Sequence, residues 1–498
     1  MARQGRRLAV RYDAAIIGAG TNGLAAASVL AGAGLKTVVI ERAPTCGGRL
    51  ATREFHPGFR VSPYCDDIGA IPSEIFRALG LPRHGAIFIP APSSLALWPD
   101  RNHQVLNWSP DPSWALLRDE AQTGEDAIRR RAFEDASHAE QKRWWRPPPD
   151  TAPWPGESLS RQSLASLLAE SLPSEDARAH FLAAALSGRS VDPFLNGSAL
   201  HLLTPRSGTF AGGLVTLADA LTASARAAGA EISLGLEAAD IRLTGSQVTG
   251  VRLADGTEIT ARAVISTLDM RRTFFSLFAW KDLPQAAVRR ASDFRHGGGT
   301  ARLLIALDAP PSLSSDVVEG PIHVSPDAEA FAGAHAAHAA STIPEAPPLT
   351  LRIVSAADPR LAPEGKAVMT ATIAGIPHHL FDGSWTNAKR VALRTRVLAQ
   401  IEEILPGTTA RVLGTELILP SDIEDALGVT EGDLDGGEIA PDQAFGFRGF
   451  SECPGGRTPI RGLYLGGRSS PAGLSGTCAA GIMAARAVAA DLNAGRLK

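Results

Sequence analysis

One stretch limits this chain more than any other: YDAAIIGAGTNGLAAASVLAGAGLKTVVIER, residues 12–42, which has no charged residue from Ala14 to Leu35. An uncharged run of that length is enough to cross a bilayer, which takes roughly 20 helical residues. Its glycines argue otherwise. Gly18, Gly20, Gly23, Gly32 and Gly34 interrupt the run, and each costs about 1 kcal/mol against alanine inside a helix. The order of residue types instead spells a buried strand (YDAAIIG), a tight turn (GAGTNG), a small-residue helix (LAAASVLAGAG) and a second Val/Ile strand (LKTVVIE). That β-α-β unit carries Gly18-x-Gly20-x-x-Gly23. In such a unit Gly18 allows the turn, Gly20 lets the backbone approach a pyrophosphate, and Gly23 allows close helix–strand packing. Thr21 and Asn22 then open the helix, whose N-terminus offers free N–H groups and a positive dipole end to phosphates. Glu41 ends the second strand, where a carboxylate accepts from ribose hydroxyls and disfavours an extra phosphate there. The segment is read as a dinucleotide holder; the plain alternative is a glycine-rich turn with no ligand.

The residues that follow extend the motif. Arg42, Gly47, Gly48 and Arg49 stand as R-x-x-x-x-G-G-R just past the ribose-binding acid, near enough to fold back over a pyrophosphate. Arg49 can pair with phosphate as a charge-assisted donor, and Arg42 can neutralise phosphate or flank the adenosine. Composition narrows the class further. A net charge of −3 with 20% charged residues leaves no basic field for nucleic acid. The four cysteines, Cys46, Cys65, Cys453 and Cys478, show no C-x-x-C spacing, so neither a disulfide framework nor a metal site is expected and a cytoplasmic location is. The basic start MARQGRRLAVR lacks the apolar core of a signal peptide. Peripheral contact with a membrane stays open.

Along the chain the pattern divides into residues 12–110, a first cofactor-binding part; 111–205, a charged helical insert with a Pro-rich break at 147–155; 206–275, a second cofactor part; 276–440, a substrate domain; and 441–498, a third cofactor part. Residues 206–275 read helix, strand and then an alternating hairpin closed by Asp255-Gly256, a type I′ signal. In 276–440, TARLLIALDAPP, LTLRIVSAADP and KAVMTATIAGIP suit an antiparallel sheet, and TNAKRVALRTRVLAQIEEILPG is an amphipathic helix. His378, His379 and Trp385 follow a strand end and suit packing better than metal binding. The last segment reads as the strand GLYLGG, a glycine-broken loop and a long helix from about Thr477.

GAGTNGLAAA, HPGFRVSP, GGLVTLADAL, LADGTEITARAVIST, LPSDIEDALGVTEGDLDGGEIAPDQAF and TPIRGLYLGG together resemble the phytoene dehydrogenase-related FAD oxidoreductases. Within them the chain is most similar to the pyridine nucleotide-disulphide oxidoreductase domain-containing protein 2 type. The resemblance covers nearly the whole chain. It implies an α/β fold, with a Rossmann-type FAD-binding domain of the amine-oxidase kind built from discontinuous segments and an inserted α+β substrate domain. It implies FAD, non-covalent because Cys453 and Cys478 stand at no recognised attachment spacing, with the adenine edge meeting backbone at Ala238. The flavin would approach Gly466, Gly467, Gly473, Leu474, Ser475, Gly476 and Thr477. Where the group runs G-S-G-x-H-P-G-G-G, this chain has Arg468 for a glycine and Ser470 for the flavin-side histidine.

FAD supplies hydride transfer and the protein supplies orientation and electrostatics. The sequence shows no triad or paired-carboxylate motif. Arg468, Ser470 and Arg302 are the candidates near the flavin, with solvation the plainer reading of Arg302 and a helix N-cap an alternative for Asp442. The leading expectation is dehydrogenation or saturation of a C–C bond in an apolar isoprenoid- or lipid-like substrate, by hydride transfer to or from flavin N5, with quinone or oxygen as acceptor. An amine or amino-acid oxidase, a flavin isomerase without net redox change, and a non-enzymatic flavoprotein stand as alternatives.

Overall fold

The computed structural model describes residues 11–69, 71, 73–90, 95–99, 157–172, 175–203, 206–313, 320–474 and 477–497. The charged helical stretch before residue 157 and the Pro-rich break lie outside the described residues.

The Val/Ile/Ala runs pair as expected of strands covered on both faces. Arg11–Ile17 lies parallel to Thr37–Glu41 on one side and Glu258–Ser266 on the other, with Ile17 opposite both Ile40 and Ser266. Glu231–Leu234 extends the sheet beyond Glu41. Leu463–Leu465 pairs with the last residues of Glu258–Ser266, and the antiparallel hairpin Ala238–Thr244 with Gln247–Leu253 completes seven strands. Alternate side chains serve opposite layers. Ala14 and Ile16 pack under helices Thr21–Gly32, Leu214–Ala227 and Ala479–Asn493, while Ala15 and Ile17 meet Phe274 and Phe294 on the other face. Burying one such Ile or Phe stabilises the fold by about 1.5–3 kcal/mol.

A second, six-stranded sheet runs Val412–Ile418, Ala301–Leu307, Ala367–Ile373, Leu349–Ile353, Ile322–Val324 and Leu95–Leu97. Its pairs are antiparallel except the last. The period-2 rule splits its faces sharply. Leu303, Ile305, Leu351, Met369 and Ala371 join one apolar core, against Leu393, Val397 and Ile401 of helix Asn387–Ile404. The intervening positions Arg302, Thr350, Arg352, Thr370 and Thr372 share the other face, and they too are buried. A buried polar sheet face is the first sign of a site.

Two sequence expectations change. Leu95–Leu97 belongs to the second sheet and not to the first cofactor part, because its three buried residues pair with Ile322–Val324. The Asp255-Gly256 hairpin forms, but not as type I′: Gly256 alone has positive φ, and the Asp255 carboxylate accepts from the Thr257 N–H. Strands Arg206–Phe210, Ile322–Val324 and Val412–Ile418 were not foreseen. Among the described residues no helix is long and apolar enough to cross a membrane.

Candidate active site

The corner after the first strand is shaped by glycine. Gly18 has φ +100°, and a methyl group there would overlap the Thr267 hydroxyl; one at Gly23 would overlap the Gly18 carbonyl. Gly20 differs: it has ordinary φ, and a methyl group would meet no protein atom within 4 Å. Gly47 N–H donates to the Ala19 carbonyl (2.9 Å), and a methyl group on Gly48 would come 3.4 Å from the Gly20 Cα. The second motif therefore does fold back over the first. Helix Thr21–Gly32 begins there with no side-chain cap and no acid in its first turn, an open anion-binding end. Glu41 is held beside it, accepting from Ala19 N–H (2.6 Å) and Ala43 N–H (2.8 Å). Leu236 N–H bonds the Glu41 carbonyl, which brings the start of the Ala238 strand alongside. A bare cradle, an uncapped helix and an oriented acid fit the pyrophosphate and ribose of FAD. Asn22 accepts from Gly481 N–H (3.2 Å), binding this helix to Ala479–Asn493 at their closest approach. Arg42 lies on the carbonyls of Asp425 and Ala426, at the negative end of helix Pro420–Leu427.

Gly466 and Gly467 pack against the end of Glu258–Ser266, where a methyl group on either would overlap Ile265 or the Thr267 carbonyl. Gly473 sits against the Arg468 backbone. From here the chain enters a cleft that Arg49, Arg468, Leu474 and Thr477 line together. Ser475 lies outside the described residues. Ser470 is not on the cleft: it is fully buried and its hydroxyl donates to the Gly467 carbonyl (2.7 Å), closing its own turn.

The cleft's floor is the polar sheet face. Arg302 is not solvated: it is 2% exposed, grips Asp66 with two bonds (2.5 and 2.7 Å) and also bonds Thr372. Burial works against the ionised Asp66, but the Arg302 charge and hydrogen bonds outweigh it and hold the carboxyl below its ordinary value. Arg352 pairs with Asp67 (2.8 Å). Across the cleft Arg189 and Arg468 both reach Asp435, at 2.7 and 2.5 Å. Asp433 accepts from the N–H groups of Gly297, Gly437 and Asp435, with the His296 ring 3.5 Å away.

Sequence reasoning missed Asp66, Asp67, Arg189, Arg352, Asp433, Asp435 and Arg448. Arg448 is wholly buried and donates to the carbonyls of Asp435, Gly437, Glu438, Gln443 and Arg468, fixing the loop that holds Asp435. Two signals were present: the CDD triplet at 65–67 and the acid- and glycine-rich stretch from 419 to 445, used only for its resemblance. His378 instead pairs with Glu424 (2.7 Å), Trp385 bonds the Pro377 carbonyl, and Asp442 forms a bidentate pair with exposed Arg295.

A family profile described as FAD dependent oxidoreductase (DAO) matches residues 13–290, more than half of the 498. Pyridine nucleotide-disulfide oxidoreductase domain-containing protein 2 of Rattus norvegicus is 28% identical, over 97% of this chain and 94% of its own. A phytoene desaturase (lycopene-forming) of Paracoccus sp. is 27% identical over 59% of this chain and 58% of its own. Among solved structures, putrescine oxidase bound to putrescine superposes with a TM-score of 0.63 at 15% identity, covering 97% of this chain and 99% of that one. That likeness shows the fold alone. With the glycine corner, the doubled-back arginine motif and the profile in agreement, the chain belongs to the FAD-dependent oxidoreductase family, and FAD is its cofactor.

Proposed function

We propose that this oxidoreductase takes hydride from a carbon of a small, polar, charged substrate held on the Arg302–Asp66 and Arg352–Asp67 floor. One observation carries the reading: the sheet face under the cleft is buried yet polar, with Thr350 and Thr372 lining it beside the two ion pairs. Laying an apolar chain against those groups would strip them of water without replacing its hydrogen bonds, at a cost of about 1–3 kcal/mol for each group left unmet. Each of these groups already has a partner within the floor, and a polar substrate replaces the water bound at their remaining donor and acceptor sites. When bound, FAD accepts the hydride. Around it this chain's residues bind the pyrophosphate at Gly20 and Gly48, orient the ribose at Glu41, and fix the substrate's polar groups on the sheet.

A C–C bond of a lipid-like substrate is the second reading. It is favoured by similarity to phytoene desaturase and by Phe194 and Leu195, 49% and 56% exposed beside an adjoining lobe of the cleft. The two separate in an anaerobic titration of the yellow protein, following its visible flavin band. Amines, amino acids and hydroxy acids are expected to bleach it, with oxygen or a quinone restoring it. Bleaching by an isoprenoid in detergent, and by no polar compound, would overturn the proposal. Bleaching by NADH or NADPH alone would assign a reductase.

A further inference from the structure

Arg468 stands where the chain departs from its group's pattern, and its surroundings are unusual. The strand Leu463–Leu465 delivers the chain through Gly466 and Gly467, which carry no side chains, so Arg468 is the first residue able to reach into the cleft. Its backbone is pinned: the Arg448 guanidinium takes its carbonyl (2.5 Å), and Gly473 packs against it. Its Nη2 donates to Asp435 (2.5 Å), while its Nε is buried without a hydrogen-bond partner. Arg49 lines the same cleft, with its Nη1 on the Leu434 carbonyl (3.1 Å). Burial, and repulsion from Arg49 and Arg189 against the pull of Asp435, bring the Arg468 guanidinium down to about 10, so it stays cationic at neutral pH. Asp435 is shared between Arg189 and Arg468, so together with Arg49 the arginines outnumber the carboxylate they meet, and an added anion would be attracted there.

FAD brings negative charge in two places. The pyrophosphate is met at the Gly20–Gly48 corner, where Arg49 follows directly on Gly48. The second arises only on reduction, on the pyrimidine edge of the ring. Leu474 and Thr477 beside Arg468 belong to the segment expected at that ring. Resting on the FAD assignment, we propose that Arg468 holds the negative charge that the flavin's pyrimidine edge acquires on reduction, and so sets how readily the flavin takes electrons. A preorganised cation aimed at developing charge acts most strongly where water is excluded.

Sulfite tests this without any substrate. It adds through its sulfur lone pair to flavin N5: the N–S bond forms, nothing leaves, and the displaced ring electrons become negative charge on the pyrimidine edge. The wild-type holoprotein should therefore bind sulfite, read as loss of the visible band. Arg468→Gln should weaken that binding about tenfold, the worth of one ordinary charge contact, and shift the flavin's midpoint potential negative. Arg468→Lys should stay within a few-fold of wild type. Asp435→Asn, which removes the guanidinium's counter-charge, should act in the opposite sense, with tighter sulfite binding and a more positive potential. A yellow Arg468→Gln protein with wild-type sulfite affinity and potential would overturn the inference. Should Arg468→Gln lose its flavin, unchanged or weaker sulfite binding in Asp435→Asn would overturn it equally. A wild-type protein that purifies colourless and takes up no added FAD would instead strike the cofactor assignment beneath it.

Discussion

Three glycines of one motif do three different jobs, and a methyl group distinguishes two of them. At Gly20 the space beside the Cα is empty of protein and φ is ordinary. Gly20→Ala should leave the apoprotein's melting temperature unchanged while lowering FAD affinity about tenfold or more, since the added methyl occupies the pyrophosphate's approach. At Gly23 the same methyl strikes the Gly18 carbonyl. Gly23→Ala should therefore cost the fold itself about 1–3 kcal/mol, read by denaturant unfolding of the apoprotein. Equal losses of stability in the two variants would refute the distinction. These glycines could be read in the sequence because a turn and a close backbone approach are local demands that few other residues meet. Arg302 could not. Its partner Asp66 lies 236 positions away, and nothing local marks the arginine as paired.

Among the elements, the loop from Asp433 to Gln443 shows how a resemblance can be recognised without its meaning. Its letters identified a subgroup; only the structure shows the loop folded around one guanidinium. Arg448→Met keeps most of the side chain's length and removes the guanidinium's hydrogen bonds to the carbonyls of Asp435, Gly437, Glu438, Gln443 and Arg468. The expected loss is about 3 kcal/mol or more, because several buried acceptors lose partners at once. The loop should also become a site of proteolytic cutting and the protein should release its flavin more readily. Resistance equal to the wild type would mean that the loop is held from elsewhere. The regular elements were easier to read. Helix Asn387–Ile404 and the strands Ala301–Leu307, Leu349–Ile353 and Ala367–Ile373 announce themselves by period. Short strands such as Ile322–Val324 do not, since three residues carry too little pattern.

For the whole molecule, acid should unfold the protein in two stages. Burial holds His180 down at about 4 against an ordinary 6.5, and it lowers His338 in the same direction. A depressed histidine leaves the unfolded chain binding more protons, so stability falls as pH drops from about 6.5 towards 4. At Asp66, burial opposes ionisation but Arg302 outweighs it; at Asp433, the His296 ring and backbone N–H groups do the same. Both carboxyls are held below their ordinary value, so their contribution is complete above about pH 4 and is lost as pH falls through their lowered values. Melting temperatures from pH 8 to 3 should show both declines, and His180→Gln should lack much of the first. A flat profile down to pH 4 in the wild type would rule out the histidine contribution. The α/β class and the discontinuous cofactor domain were legible because glycines and Val/Ile runs repeat their signals in three segments; the polar floor of the cleft was not, because its ion pairs exist only once distant segments meet. That discontinuity bears on biosynthesis. Strand Glu258–Ser266 serves partners at both extremes of the chain, Arg11–Ile17 and Leu463–Leu465. With translation at roughly 5–20 residues per second, the first strand waits many seconds for Glu258–Ser266 and the closing strand comes later still. The second sheet, all but one strand of it drawn from residues 301–418, is finished on the ribosome first, so the nascent cofactor half must be shielded until its last strand emerges.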